Sequence, residues 1–197
     1  HLGNGASICA VKYGRVVDNS MGFTPLEGLV MGTRCGDVDP GALEYLAKKE
    51  NLSLSEVMQI LNKESGVLGI SRNYSSDFRE LKDAEIKYND MAALAREIFA
   101  YKVAKYIGSY AAAMNGVDNI VFTAGVGEND SDIRTEICDY LEFLGITIDE
   151  VKNREQGEAF KISDGASRVN VLVIKTNEEL EIAREAAAVA EPILKKR

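Results

Sequence analysis

Apolar positions along this 197-residue chain recur with two periods, and the switch between them marks out the expected elements. Residues 6–11 form an apolar β-prone run, Lys12-Tyr13-Gly14 has turn chemistry, and Arg15, Val16, Val17 and Asp18 follow as a second run, which is a hairpin signature. Two further strand-like runs lie at residues 119–124 and 169–174. Helical spacing takes over elsewhere. Asp39 and Pro40 suit the N-cap and first position of a helix that should run to about Glu50, and another should start near Ser53 or Ser55. Met91, Leu94, Ala95, Ile98, Val103, Tyr106, Ile107, Tyr110 and Met114 recur along one face of a long segment that Asn115-Gly116 should terminate. Ala92, Ala93, Ala100, Ala104 and Gly108 would let a neighbouring helix approach it closely. Thr176 and Glu179 have capping-box spacing at the start of a last helix. Strands feeding helices through glycine-bearing loops predict one α/β domain with a mixed β-sheet, opened by the hairpin and flanked by helices. The acidic stretch 149–157 reads as a surface connection within that domain.

The densest signal lies at residues 119–133. The strand breaks into Gly125-Val126-Gly127-Glu128-Asn129, and a helix-like stretch begins at once. Glycine permits close approach of backbone to a ligand, and a helix N-terminus offers unpaired N–H groups with partial positive charge, so this unit suits a phosphorylated ligand such as a nucleotide. The Gly-x-Gly lacks the third glycine of a dinucleotide fingerprint and the Lys-Ser/Thr ending of a Walker loop. An ordinary α/β connection therefore stays open on this segment alone.

Other segments add charge. Residues 20–40 form a glycine-rich loop in which Arg34 is the only cation, where flexible backbone could aim a guanidinium at a phosphate or carboxylate. Arg34 is the preferred catalytic cation, with a solvated turn arginine as the alternative. Residues 65–76 read as a polar, glycine-bearing connection, after which Ser75 or Ser76 should cap a short helix opened by Asp77-Phe78-Arg79. Phe78 could face a purine, but its pattern assigns it to the core. Glu178, in the first turn of the last helix, could hold a divalent ion or serve the helix dipole.

Composition narrows the partners. A formal charge of −8 with no dense Lys/Arg block argues against a sequence-independent hold on nucleic acid. Lys102 and Lys105 interrupt the longest apolar helical stretch, so no membrane span is expected. Cys9, Cys35 and Cys138 are widely spaced without a CxxC pair, which fits a reducing cytoplasm rather than a disulfide framework. The chain opens on His1 with no Met or signal-like segment and reads as a cut, so upstream sequence is expected to add strands to the same sheet.

Five blocks carry a resemblance: His1-Leu2-Gly3-Asn4-Gly5, residues 21–28 (Met-Gly-Phe-Thr-Pro-Leu-Glu-Gly), Met31-Gly32-Thr33-Arg34, residues 122–129 and residues 176–180. In this order they resemble the acetate kinase family across essentially the whole chain, matching the C-terminal half of such enzymes. The resemblance implies a ribonuclease H-like, actin-like ATPase domain of the sugar kinase, heat-shock ATPase and actin superfamily. Residues 1–197 would be the C-terminal nucleotide-binding domain of a two-domain kinase whose N-terminal domain is absent. It implies reversible, in-line phosphoryl transfer from Mg-ATP to acetate, giving acetyl phosphate and ADP, with the fragment inactive alone. Mg2+ is the implied metal, with Mn2+ as the alternative ion.

Position by position, the resemblance makes Arg34 and Asn4 catalytic and Pro25 an acetate-pocket residue. It places His1, Gly3, Asn4 and Gly5, then Asp77, Phe78 and Arg79, then Gly125, Val126, Gly127, Glu128 and Asn129 around the nucleotide. Glu178 would be the metal-associated glutamate. A homodimer through this domain is also implied. Two alternatives stand beside acetate kinase: a propionate kinase, because a one-methylene difference in a pocket is worth only about 1–3 kcal/mol, and a non-catalytic actin-type nucleotide switch. Asn4 disfavours butyrate, since the butyrate kinase branch tends to carry glycine there. Arg34 beside an acceptor pocket favours an enzyme over a switch.

Overall fold

The computed structural model describes residues 1–194, with side chains through Glu191. Elements run in the order β1 (Cys9–Lys12), β2 (Arg15–Asn19), α1 (Pro40–Glu50), α2 (Leu54–Lys63), α3 (Gly66–Ile70), α4 (Phe78–Ile86), α5 (Asp90–Met114), β3 (Asn119–Phe122), α6 (Ala124–Asn129), α7 (Ser131–Asp139), β4 (Ala159–Lys161), β5 (Asn170–Ile174) and α8 (Glu178–Leu194).

The expected hairpin forms, because Tyr13 and Gly14 both take positive φ, as a tight turn between twisted strands requires. It is shorter than the apolar run suggested, starting at Cys9, with an irregularity between Ala10 and Val11. It does not open the mixed sheet. The hairpin is a two-stranded sheet of its own, while β3, β5 and β4 make a second sheet in the order β3-β5-β4, parallel and then antiparallel. The two face each other across a groove of ≈ 310 Å³ walled by Ile8, Ala10 and Ile120 and floored by Val103, Ile107 and Tyr110. β4 was not anticipated, because three residues are too few for a period to show.

Helix α5 is the organising element. Asn89 caps it through Met91 and Ala92, and Asn115 ends it in the left-handed conformation. Its buried side keeps Ala95, Val103, Ile107 and Tyr110 of the stripe that the spacing suggested, while Leu94 is exposed. The small residues Ala92, Ala95, Ala100 and Ala104 are buried with Phe99, Val103 and Ile107, and α4, α3, α7 and β1 pack against it. Small side chains bring backbones close, so the tighter face wins the interior. Phe78 of α4 meets Phe99 at 4.5 Å between ring centroids, in one core with Leu81, Ile133, Ile137, Val171 and Val173.

Three other expectations change at element ends. Residues 66–70 are helical rather than a plain connection. Asp77, not Ser75 or Ser76, caps α4, and Ser75 Oγ instead accepts from the Asp77 N–H. The box between Thr176 and Glu179 does not form: Asn177 Oδ1 receives the Leu180 N–H, and Thr176 turns toward Glu128. Within 149–157, Asn153 is fully buried, anchoring this stretch to α7.

Candidate active site

Two adjoining hollows of ≈ 740 and ≈ 460 Å³ share Gly3, Asn4 and Gly125 and so form one continuous cleft. Asp77, Phe78, Arg79, Lys82 and Asn129 line the larger end, while His1, Gly5, Arg34 and Glu178 line the smaller.

The smaller end is built by the His1–Gly5 turn. The Leu2 N–H donates to Thr123 O, and Leu2 O accepts from both Val126 and Gly127. This corrects the simplest reading of the glycine segment, because those two amides are spent on Leu2 and are not free for a phosphate. The segment also differs in form: Gly125 to Asn129 lie inside α6, and the left-handed residue at the junction is Ala124, at φ +65°, not a glycine. Gly125, Val126 and Asn129 line the cleft, whereas Gly127 packs on Phe122 behind it.

Arg34 is held by its loop rather than by a carboxylate. Its Nη1 donates to Pro25 O at 3.2 Å and contacts Met31 Sδ at 3.3 Å, and among the described residues no carboxylate pairs with it. The loop is tied down by α3. Ser65, Val67 and Leu68 donate their backbone N–H groups to Thr33, Met31 and Gly32 carbonyls, and Met31 N–H donates to Arg34 O. Gly66 makes this fit: at φ +63°, a Cβ there would strike the carbonyls of Met31, Gly32 and Arg34. Gly32 matters likewise, since a Cβ would collide with the Asn4 side-chain amide lying across it. Asn4 and Arg34 are thereby brought together from segments thirty residues apart. Pro25 is exposed and touches this end through its carbonyl.

At the larger end, Asp77 accepts from Arg79 in a fork, 3.1 Å from Nε and 2.6 Å from Nη2, and also caps its backbone N–H. These hydrogen bonds hold the Asp77 carboxyl down at about 2. The exposed Arg79 guanidinium is thus pre-oriented at the rim. Phe78 is a core residue, and its position also floors the cleft.

Sequence reasoning missed the charged group behind this end. Arg96 of α5 is 3% exposed, with Nη1 at 2.7 Å from Asp130 Oδ2 and Nε at 2.6 Å from Glu85 Oε2. Lys82, which lines the cleft, meets Asp130 at 3.3 Å and Asp132 at 2.7 Å. Burial pushes the Asp130 carboxyl up, but Arg96 and Lys82 outweigh it and the net direction is down. The available signal was an arginine in register with Ala92, Ala95 and Phe99 on a helix face.

Glu178 stands at the cleft's far wall, its Oε1 3.8 Å from His1 Nε2 and its side chain 69% exposed. Among the described residues, no three His, Cys, Asp or Glu side chains converge as a ready metal cage. One exposed carboxylate beside an open hollow does fit Mg2+, which dehydrates reluctantly and is commonly held by one or two carboxylates, water and substrate phosphates.

Residues 1–184 match the sequence profile of the acetokinase family. The chain belongs to this family. It is 59% identical over 196 residues to the acetate kinase of Thermosipho melanesiensis, covering 99% of this chain and 48% of that protein. The crystal structure of Porphyromonas gingivalis acetate kinase superposes with a TM-score of 0.90 at 48% identity, covering 96% of this chain and 48% of that one. A propionate kinase from Francisella tularensis superposes with a TM-score of 0.88 at 46% identity, over 94% of this chain and 47% of that one. This chain spans about half the length of the curated relatives that it matches. The α/β, actin-like ATPase fold class expected from sequence stands, shared with these acetokinase structures. Among the described residues, no helix is long and apolar enough to cross a membrane.

Proposed function

We propose that residues 1–197 are the C-terminal, nucleotide-binding half of an acetate kinase, which transfers the γ-phosphoryl group of ATP reversibly to a carboxylate oxygen of acetate. The observation that carries this is Arg34: an arginine with no carboxylate partner among the described residues, secured by backbone bonds at a cleft it shares with Asn4, His1 and Glu178, in a chain of the acetokinase family. Phosphoryl transfer asks the protein for positioning and for positive charge near the equatorial oxygens. Arg34 would supply that charge, and its freedom from a carboxylate leaves the guanidinium available for it. Asn4 would orient a phosphate oxygen beside it, and His1 would face the same hollow. Asp77, Phe78, Arg79, Gly125, Val126 and Asn129 would hold the nucleoside in the larger end, while Pro25 would border the acid. Mg2+, or Mn2+ in its place, would neutralise phosphate charge when bound beside Glu178.

The relatives' greater length supports a second domain that completes the cleft, and the fragment alone is then inactive. We further assign the whole protein to the cytoplasm as a homodimer through this domain, which light scattering tests. Propionate is the second acid to consider, on the strength of the propionate kinase likeness.

The deciding assay traps acyl phosphate with hydroxylamine, using full-length protein, Mg-ATP and acetate or propionate. Product with acetate at the higher kcat/KM supports the proposal, and a higher value with propionate reassigns the acid. No product with either, despite ADP binding, refutes the kinase reading and favours a nucleotide switch.

A further inference from the structure

We propose that Glu128 is a positioning residue whose carboxylate ties the cleft wall carrying Gly125 to the wall carrying Glu178. The inference rests on the reading of the cleft above and reassigns Glu128 from ligand contact to clamp. One oxygen, Oε1, accepts from the Ala124 N–H at 2.8 Å, the Thr176 N–H at 2.9 Å, Thr176 Oγ1 at 3.1 Å and Thr123 Oγ1 at 3.5 Å. These donors come from two different crossings out of the sheet, β3 into α6 and β5 into α8, with Thr176 forty-eight residues from Glu128. Both crossings line the smaller end of the cleft, through Ala124 and Gly125 on one side and Thr176 and Glu178 on the other.

The carboxylate is therefore engaged and is not among the residues lining either end of the cleft. Two features show that the contact fixes geometry. Ala124 holds a left-handed φ of +65°, a conformation an alanine keeps only when its surroundings impose it, and its N–H is bonded to Glu128. Glu128 is itself braced from below, where the buried Arg134 donates Nη1 to the Gly127 and Glu128 carbonyls at 2.9 and 3.0 Å while its Nε holds Asn153. A rigid arginine thus backs a glutamate that spans two loops. Thr176 lies two residues before Glu178, and Glu178 is itself largely exposed, so the Thr176 anchor joins the Lys175 N–H bond to Glu158 O in fixing where the start of α8 meets the cleft.

Glu128 should then control how strongly a divalent ion enhances nucleotide binding, acting through Glu178. Calorimetry of ADP binding to full-length protein, with and without Mg2+, reads this as the ratio of the two dissociation constants. Glu128→Ala should lower that ratio by about tenfold, the scale of coupling within one hydrogen-bonded network. In a Glu178→Ala background the same substitution should leave the ratio within twofold. Glu128→Gln keeps an acceptor oxygen and should retain most of the parental ratio. Thr176→Val removes one donor, leaves Glu128 intact and should lower the ratio severalfold even if Glu128→Ala fails to fold. Glu128→Ala and Thr176→Val both at the parental ratio would overturn the inference, as would effects of Glu128→Ala and Glu178→Ala that multiply independently. A parent protein that binds ADP with no Mg2+ enhancement would instead overturn the functional reading beneath it.

Discussion

Removing the Asp130 carboxylate tests how the cleft is braced, and its effect can be worked from the contacts. Arg96 is 3% exposed, and Asp130 receives its Nη1 at 2.7 Å, while Glu85 takes its Nε. Taking away one partner of a buried pair leaves the other charge in low dielectric and typically costs 3–5 kcal/mol. The remaining Glu85 contact puts Arg96 at the low end, about 3 kcal/mol. Asp130 also caps α7 by accepting from the Ile133 N–H, worth about 1 kcal/mol more. Asp130→Ala should therefore destabilise by about 4 kcal/mol, a fall of about 2 M in the urea midpoint at a slope near 2 kcal/mol/M. Asp130→Asn retains a capping oxygen and should lose about 3 kcal/mol. Adding Arg96→Met to Asp130→Ala removes the stranded charge and should recover at least half of the loss, because apolar replacement of a buried pair is often neutral. The assay is urea unfolding followed by far-UV circular dichroism. A loss below 1 kcal/mol for Asp130→Ala, or no recovery on adding Arg96→Met, would refute the reasoning.

Arg34→Ala in the full-length enzyme should lower turnover by about 10³-fold, the low end for an arginine finger, with a smaller effect on nucleotide affinity. Since no carboxylate pairs with Arg34 among the described residues, the melting temperature should barely move, and turnover within a few-fold of the parent would remove it from this role. Gly66→Ala forces a Cβ into three carbonyls at a left-handed φ and should cost at least about 1–2 kcal/mol from the backbone alone, measured by thermal unfolding. Because those carbonyls belong to the Arg34 loop, it should also depress kcat. The Asp77 carboxyl lies at about 2, below the ordinary aspartate value near 3.9. A depressed folded-state value means that its contribution is complete above about pH 4 and is lost as pH falls toward 2. In a carboxyl NMR titration its resonance should stay unprotonated at pH 3, and Arg79→Ala should return the midpoint toward 3.9.

The local elements were largely determined by sequence, because their causes are local. Asp39-Pro40 starts α1, the Ser53 and Glu56 side chains box the start of α2, and Asn115 stops α5, each through contacts within a few residues. The motif blocks likewise supplied many of the residues that line the cleft before any distance was known. What tertiary structure decided is everything that depends on two distant segments meeting. Spacing marked Ala95, Val103, Ile107 and Tyr110 on the buried side of α5, but close packing left Leu94 exposed and buried Arg96 with the alanines. Glycines at 125 and 127 suggested free amides, but Leu2 claims those of Val126 and Gly127 from the other end of the chain. Thr176 and Glu179 had the right spacing for a capping box, yet Glu128, brought alongside by the β3–β5 pairing, is the better acceptor for Thr176. Hydrogen-bond donors go to whichever acceptor the fold presents, and only the fold says which one is near.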